Sequence, residues 1–172
     1  VKMDWHPDGF SIALVTSDNN VAVHNAADGD EVFSFMAARA HAGSLKFSPD
    51  GTMLAVVSSY DGDDEGRIEI YNATTGAFVH RVGVGIVYDH NTEFYSVDWS
   101  PDDKRLLVGG FAKLLEYNVS DWSLLRVIHN VYSYVTEAAY SPDQTSIAVC
   151  IGWQRNTPSL KRSGYAPSMV GM

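Results

Sequence analysis

"WSPDDKRLLVGG", residues 99–110, is a turn signal followed by a short apolar run. Pro101 presets φ for the first central position of a turn, and Asp102 is suited to accept the hydrogen bonds that hold it. Ahead of the turn, Val97 and Trp99 alternate with polar neighbours, the period-2 pattern of a half-buried strand. After it, "RLLVGG" at 105–110 is too brief for a helix and reads as a second strand. The stretch predicts a hairpin.

The same phrase recurs as "MDWHPDG" (3–9), "LKFSPDG" (45–51), "VDWSPDD" (97–103) and "AAYSPDQ" (138–144). Its prolines, Pro7, Pro49, Pro101 and Pro142, are 42, 52 and 41 residues apart. A period of about 40 to 45 residues is that of a four-stranded propeller blade, so the 52-residue unit holds an insertion. The other turns are followed by "SIALV" (11–15), "MLAVV" (53–57) and "SIAVC" (146–150). In the first three units a third strand ends on an aromatic or imidazole followed by Asn: "VAVHN" (21–25), "IEIYN" (68–72) and "LLEYN" (114–118). In the last of these Glu116 stands where an apolar residue is expected. Turn residues and a fourth apolar segment follow, "VFSF", "FVHRV" and "LLRVI".

No apolar stripe of helical period is present, so the expected class is all-β. The architecture is a partial β-propeller of about three and a half to four four-stranded antiparallel blades. Its units lie at about 1–36, 44–83, 94–128 and 136–152. Residues 153–172, rich in Pro and Gly and without alternation, read as an irregular C-terminal tail or an incomplete last blade. Three and a half blades leave an unpaired side at each end, which predicts a fragment of a larger propeller, or closure by a second copy, a partner or further blades.

With 172 residues, 45% of them apolar, the chain is one ordinary domain with ample material for a core. Twenty-one acidic against twelve basic residues give a net charge of −9, which repels phosphate backbones and argues against nucleic acid as a ligand. No run approaches the length of a membrane span, and the opening "VKMDWHPDGF" lacks the apolar core of a secretion signal. The single cysteine, Cys150, reads as a small buried hydrophobe. It has no internal disulfide partner, and a reducing, cytoplasmic location is expected.

The repeat resembles the WD40 family, whose blades run from an apolar strand through a Ser-Pro-Asp-Gly turn to a strand ending Trp-Asp. Thr16 and Asp18 stand where that family has its Ser or Thr and its turn Asp. Asn25 replaces the closing Asp, and His24, Tyr71 and Tyr117 replace the Trp. Three full units and half of a fourth share the pattern. The family's Gly-His before each blade is largely missing, although His41, His90 and His129 fall in the connecting segments. The resemblance implies that the strand before each "SPDG" is innermost. It also implies that the Pro-Asp turns share one face, with the blade connections and second-to-third-strand hairpins on the other. That loop face is the expected recognition surface, with candidate residues Asp18, His41, Asp61, Asp63, Asp64, Glu65, Asp89, His90, His129 and Tyr132.

Other chemistry is weaker. "DGDDEG" (61–66) offers hard oxygen ligands, but the twelfth position from Asp61 is Asn72 rather than a bidentate Glu, so a solvated acidic hairpin is the better reading. No nucleophile elbow, phosphate loop or Cys/His metal spacing occurs. His24 reads as a packed or capping imidazole. Asn72-Ala-Thr74 and Asn118-Val-Ser120 match glycosylation acceptors but also suit turns. The expected function is a non-catalytic scaffold, with no cofactor and no metal, that binds a protein or peptide of basic character. The alternative is the propeller domain of a larger hydrolase or peptidase whose catalytic residues lie outside this chain.

Overall fold

The computed structural model describes residues 2–16, 18–37, 42–59, 66–83, 93–128 and 133–152, together with the backbone of 167–171. The first unit holds β1 (Lys2–Trp5), β2 (Ser11–Val15), β3 (Asn20–Asn25) and β4 (Glu31–Met36). The second holds β5 (Ala42–Phe47), β6 (Met53–Ser58), β7 (Ile68–Asn72) and β8 (Phe78–Arg81). The third holds β9 (Phe94–Trp99), β10 (Arg105–Gly110), β11 (Lys113–Asn118) and β12 (Leu124–Ile128). The last holds β13 (Tyr134–Tyr140), β14 (Ser146–Gly152) and β15 (Pro167–Gly171). The described residues contain no helix, and each unit is one antiparallel sheet in sequence order, three of four strands and the last of three. This is the all-β arc of propeller blades that the repeat predicts. β15 lies in the stretch with no strand pattern in its sequence, and it is its pairing with β14 that makes it a strand.

Local chemistry sets each Pro-Asp turn. The Gly51 N–H donates to the Ser48 carbonyl at 2.9 Å, and Gly51 takes φ 72°, where a residue without Cβ is unstrained. Ser48 Oγ donates to Asp50 Oδ1 at 2.7 Å and accepts the Met53 N–H at 2.9 Å, so one hydroxyl closes the loop from both sides. Ser100 does the same with Asp102 and Arg105, and Ser141 with Asp143 and Ser146. In the first blade His6 takes the serine's place, accepting the Asp8 N–H on Nδ1 and donating from Nε2 to the Gly51 carbonyl at 2.9 Å.

The outer hairpins explain the Asn that closes each third strand. Asn25, Asn72 and Asn118 accept the N–H two residues on at 2.8, 3.0 and 3.0 Å, the local hydrogen bond for which Asn is favoured in turns. His24 caps its turn by bonding the Gly29 carbonyl at 3.0 Å.

The first strands of successive blades pack against one another about a common axis. Asp4 Oδ2 accepts the Phe47 N–H at 2.9 Å while Oδ1 pairs with Lys46 Nζ at 2.8 Å. At the next boundary Lys46 occupies the equivalent of Asp4 and offers no carboxylate; there the Trp99 indole N–H donates to the Lys46 carbonyl at 3.0 Å. At the third, Asp98 Oδ2 accepts the Tyr140 N–H at 2.8 Å. Burial pushes the Asp98 carboxyl up, opposed by that N–H and by Lys46. Between the blades lie three apolar clusters. One is centred on Val21, Val23, Leu54 and Val56, the next on Ile68, Ile70, Leu106 and Leu115, and the last on Leu107, Leu114, Ile147 and Val149. Each such buried side chain contributes about 1.5–3 kcal/mol, so the blades are held chiefly by their faces.

Candidate interaction surface

The Pro-Asp turns form one face, and their polar groups are used within each turn and, at a few points, in joining blade to blade. His6 bonds Gly51, the Asp50 N–H donates to Asp103 Oδ1 at 3.3 Å, and Arg105 Nη2 donates to Gln144 Oε1 at 2.7 Å. The opposite face carries the loops. Its best-defined feature among the described residues lies where the third blade meets the fourth.

There the β10–β11 hairpin turns within a few residues, with Ala112 at φ 53°. The pair Gly109-Gly110 permits this approach. A Cβ on Gly109 would stand 2.3 Å from Ser96 Oγ, and one on Gly110 would stand 2.5 Å from the Glu93 carbonyl. The hairpin is then tied to both neighbouring strands. Phe111 N–H donates to the Glu93 carbonyl at 3.2 Å, Ala112 N–H donates to the Ser133 carbonyl at 3.0 Å, and Phe111 forms a β-bridge with Tyr134. Buried Ser133 is anchored in turn by donating to the Gly152 carbonyl at 2.6 Å.

This backbone gathers three part-exposed rings and a carboxylate. Tyr134 lies 4.9 Å from Phe111 and 5.5 Å from Tyr95, centroid to centroid, the latter edge to face. The Tyr95 hydroxyl donates to the Glu93 carboxylate. Partial burial, then that bond, raise the Tyr95 phenol above its ordinary value, so it stays a neutral donor and Glu93 an acceptor. Aromatic faces beside a carboxylate suit a Lys or Arg side chain, by cation–π attraction and ion pairing together, or an apolar residue of a peptide. Among the described residues no three His, Cys, Asp or Glu side chains converge as a metal site.

Of the residues singled out in the sequence, Asp18 is described. It lies in the β2–β3 loop and accepts a hydrogen bond from the Thr16 hydroxyl, the main cause of its lowered carboxyl pKa. Next to it, Asn19 ties this loop to the second blade by accepting the Ala42 N–H at 3.1 Å. His41, Asp61, Asp63, Asp64, Glu65, Asp89, His90, His129 and Tyr132 lie outside the described residues. Glu93, Tyr95, Phe111 and Tyr134 are not among the residues singled out in the sequence, although Glu93 and Tyr134 lie within a few residues of His90 and Tyr132. A signal existed in "GGFAK" (109–113), a glycine pair leading to an exposed aromatic where two strands meet.

A family model described as "Anaphase-promoting complex subunit 4 WD40 domain" matches residues 3–88, half of the chain. The chain belongs to the WD40-repeat family. A second WD40 model, "WD domain, G-beta repeat", matches residues 83–113. The chain is also similar to WD repeat-containing protein 1 of Gallus gallus, 38% identical over 63 residues, which cover 37% of this chain and 9% of that protein. WD40 domains are generally protein-interaction scaffolds, and their blades form the propeller seen here as an arc.

Proposed function

We propose that this WD40 chain is a non-catalytic platform whose loop face, at the junction of the third and fourth blades, holds a segment of a partner protein. Tyr95, Phe111 and Tyr134 provide the contact area and Glu93 the charge, so the preferred segment carries Lys or Arg. The observation that carries this reading is the closeness of three part-exposed rings to an acceptor carboxylate on the face whose backbone is locked by Phe111, Ala112 and Ser133. A rigid scaffold presenting aromatic anchors binds with little ordering cost. The chain's net charge of −9 favours encounter with basic segments.

The test is selection of a random octapeptide library displayed on phage against the 172-residue chain. Enriched peptides should contain Lys or Arg. Their binding should fall about tenfold or more with Tyr134→Ala, and their preference for basic residues should relax with Glu93→Gln. Enrichment that neither substitution alters would overturn the assignment of this surface.

A further inference from the structure

We propose that the loop-face site selects lysine over arginine in the segment it holds, and that the Tyr95 hydroxyl decides the choice. The inference rests on the reading of that face as a peptide site and adds a side-chain specificity to it. Two observations carry it, one on the rings and one on the carboxylate.

The rings stand at angles that suit a compact cation. Tyr134 meets Tyr95 at 79° and Phe111 at 50°, with centroids 5.5 and 4.9 Å apart. Neither contacting pair is parallel, so the rings meet at corners and do not form the two sides of a slot. A guanidinium is planar and gains most by lying flat between or upon ring faces, whereas an ammonium is a compact charge that can face walls of any inclination. The backbone fixes these angles, because Phe111 is bridged to Tyr134 and the Ala112 N–H is held by the Ser133 carbonyl.

The carboxylate is arranged to the same end. Arginine's advantage over lysine is its fork of parallel N–H groups, which pairs with both oxygens of a carboxylate at once. At Glu93 one of the two, Oε2, already accepts the Tyr95 hydroxyl, which leaves Oε1 for a ligand. One oxygen serves a lysine ammonium, which needs a single acceptor, but engages only one arm of the arginine fork. Glu93 immediately precedes β9 and Tyr95 lies two residues on, the spacing that sets two side chains on one side of an extended chain. The phenol does not give up this bond by ionising, because partial burial and then Glu93 hold its pKa above the ordinary tyrosine value.

The test uses two phage-displayed octapeptide libraries, identical except that one central position is Lys in the first and Arg in the second, selected on the 172-residue chain. The Lys library should enrich, and changing that Lys to Arg in the enriched peptides should weaken binding about tenfold by calorimetry. Tyr95→Phe keeps the ring and opens Oε2. It should tighten the Arg peptides about tenfold while altering the Lys peptides by less than about threefold, a gain that mere loosening of the loop would not produce. If Tyr95→Phe loses its circular dichroism spectrum, Glu93→Asp, which draws the carboxylate away from the phenol, takes its place with the same expected gain. Equal binding of Lys and Arg peptides to the wild-type chain, or a preference for Arg, overturns the selectivity and leaves the loop-face reading intact. A Lys-to-Arg ratio that the variant leaves unaltered overturns the role of the hydroxyl. Libraries that enrich no better on the wild-type chain than on Tyr134→Ala defeat the loop-face reading and this inference together.

Discussion

The boundary between the second and third blades and that between the third and fourth solve one packing problem in two ways. At the first, Ile68, Ile70, Leu106, Leu115 and Trp99 form a continuous apolar cluster. At the second, Glu116 takes the place in its strand that Ile70 has in the preceding blade. Its Oε1 accepts the Tyr140 hydroxyl at 2.6 Å and lies 3.4 Å from Arg105 Nη1, while Oε2 accepts Arg126 Nε at 2.5 Å. The Arg105 guanidinium also lies 5.2 Å over the Tyr140 ring. Burial, then Glu116, push the Tyr140 phenol up, so it remains a donor to the carboxylate. A buried ion pair adds little net stability over an apolar one but is costly to break by halves. The difference teaches that the blade tolerates either solution, one governed by area and the other by partners.

The sharpest break in the apolar boundary is Trp99→Ala. It removes a ring that is 3% exposed together with its indole bond to Lys46, and should cost about 4 kcal/mol in urea unfolding. Glu116→Leu makes the second boundary resemble the first but takes the carboxylate from Arg126, Arg105 and the Tyr140 phenol, of which Arg105 keeps its bond to Gln144. With the guanidinium groups partly in water, the expected loss is about 2–3 kcal/mol, and adding Arg126→Leu should recover part of it. Paired tyrosine substitutions sharpen the contrast further. Tyr140→Phe should cost about 1–2 kcal/mol, whereas Tyr117→Phe should gain up to about 1 kcal/mol, because the Tyr117 hydroxyl is buried with no hydrogen-bond partner among the described residues. A loss in both would mean that the two boundaries do not differ in the way described.

The smallest effect is in the turns. The Asp102 carboxyl is lowered, first by the Ser100 hydroxyl and also by the Lys104 N–H. A carboxylate whose folded-state value is depressed adds stability above the usual aspartate range, and that stability is lost as pH falls through the folded-state value. Ser100→Ala should therefore move Asp102 back toward the ordinary range, visible in its carboxyl carbon-13 shift, with a loss of stability at neutral pH that shrinks as pH falls through the folded-state value.

Much of the blade architecture was legible because the Pro-Asp turns are local. Ser48, Asp50 and Gly51 find their partners within five residues, so the phrase carries its own geometry. Glu116 looked like a departure from the strand pattern because its partners Arg105, Arg126 and Tyr140 are 11, 10 and 24 residues away. The cluster of Tyr95, Phe111 and Tyr134 was hidden for the same reason, since neighbouring blades rather than neighbouring residues assemble it. β15 was invisible because β14 supplies its pairing. The place of Asp18 in its turn was readable because Thr16, two residues away, is what holds it.

One consequence follows from the corners of the turns. Gly9 and Gly51 take positive φ in the first two blades, whereas Asp103 and Gln144 do so in the last two, at 59° and 60°. A left-handed residue with a Cβ costs about 1–2 kcal/mol, yet both of these side chains reach other blades, Asp103 toward Asp50 and Gln144 toward Arg105. Local strain is thereby exchanged for rivets between adjacent plates. Stress or heat applied to one plate passes to the next through its corner, and the later plates should come apart together rather than peel singly.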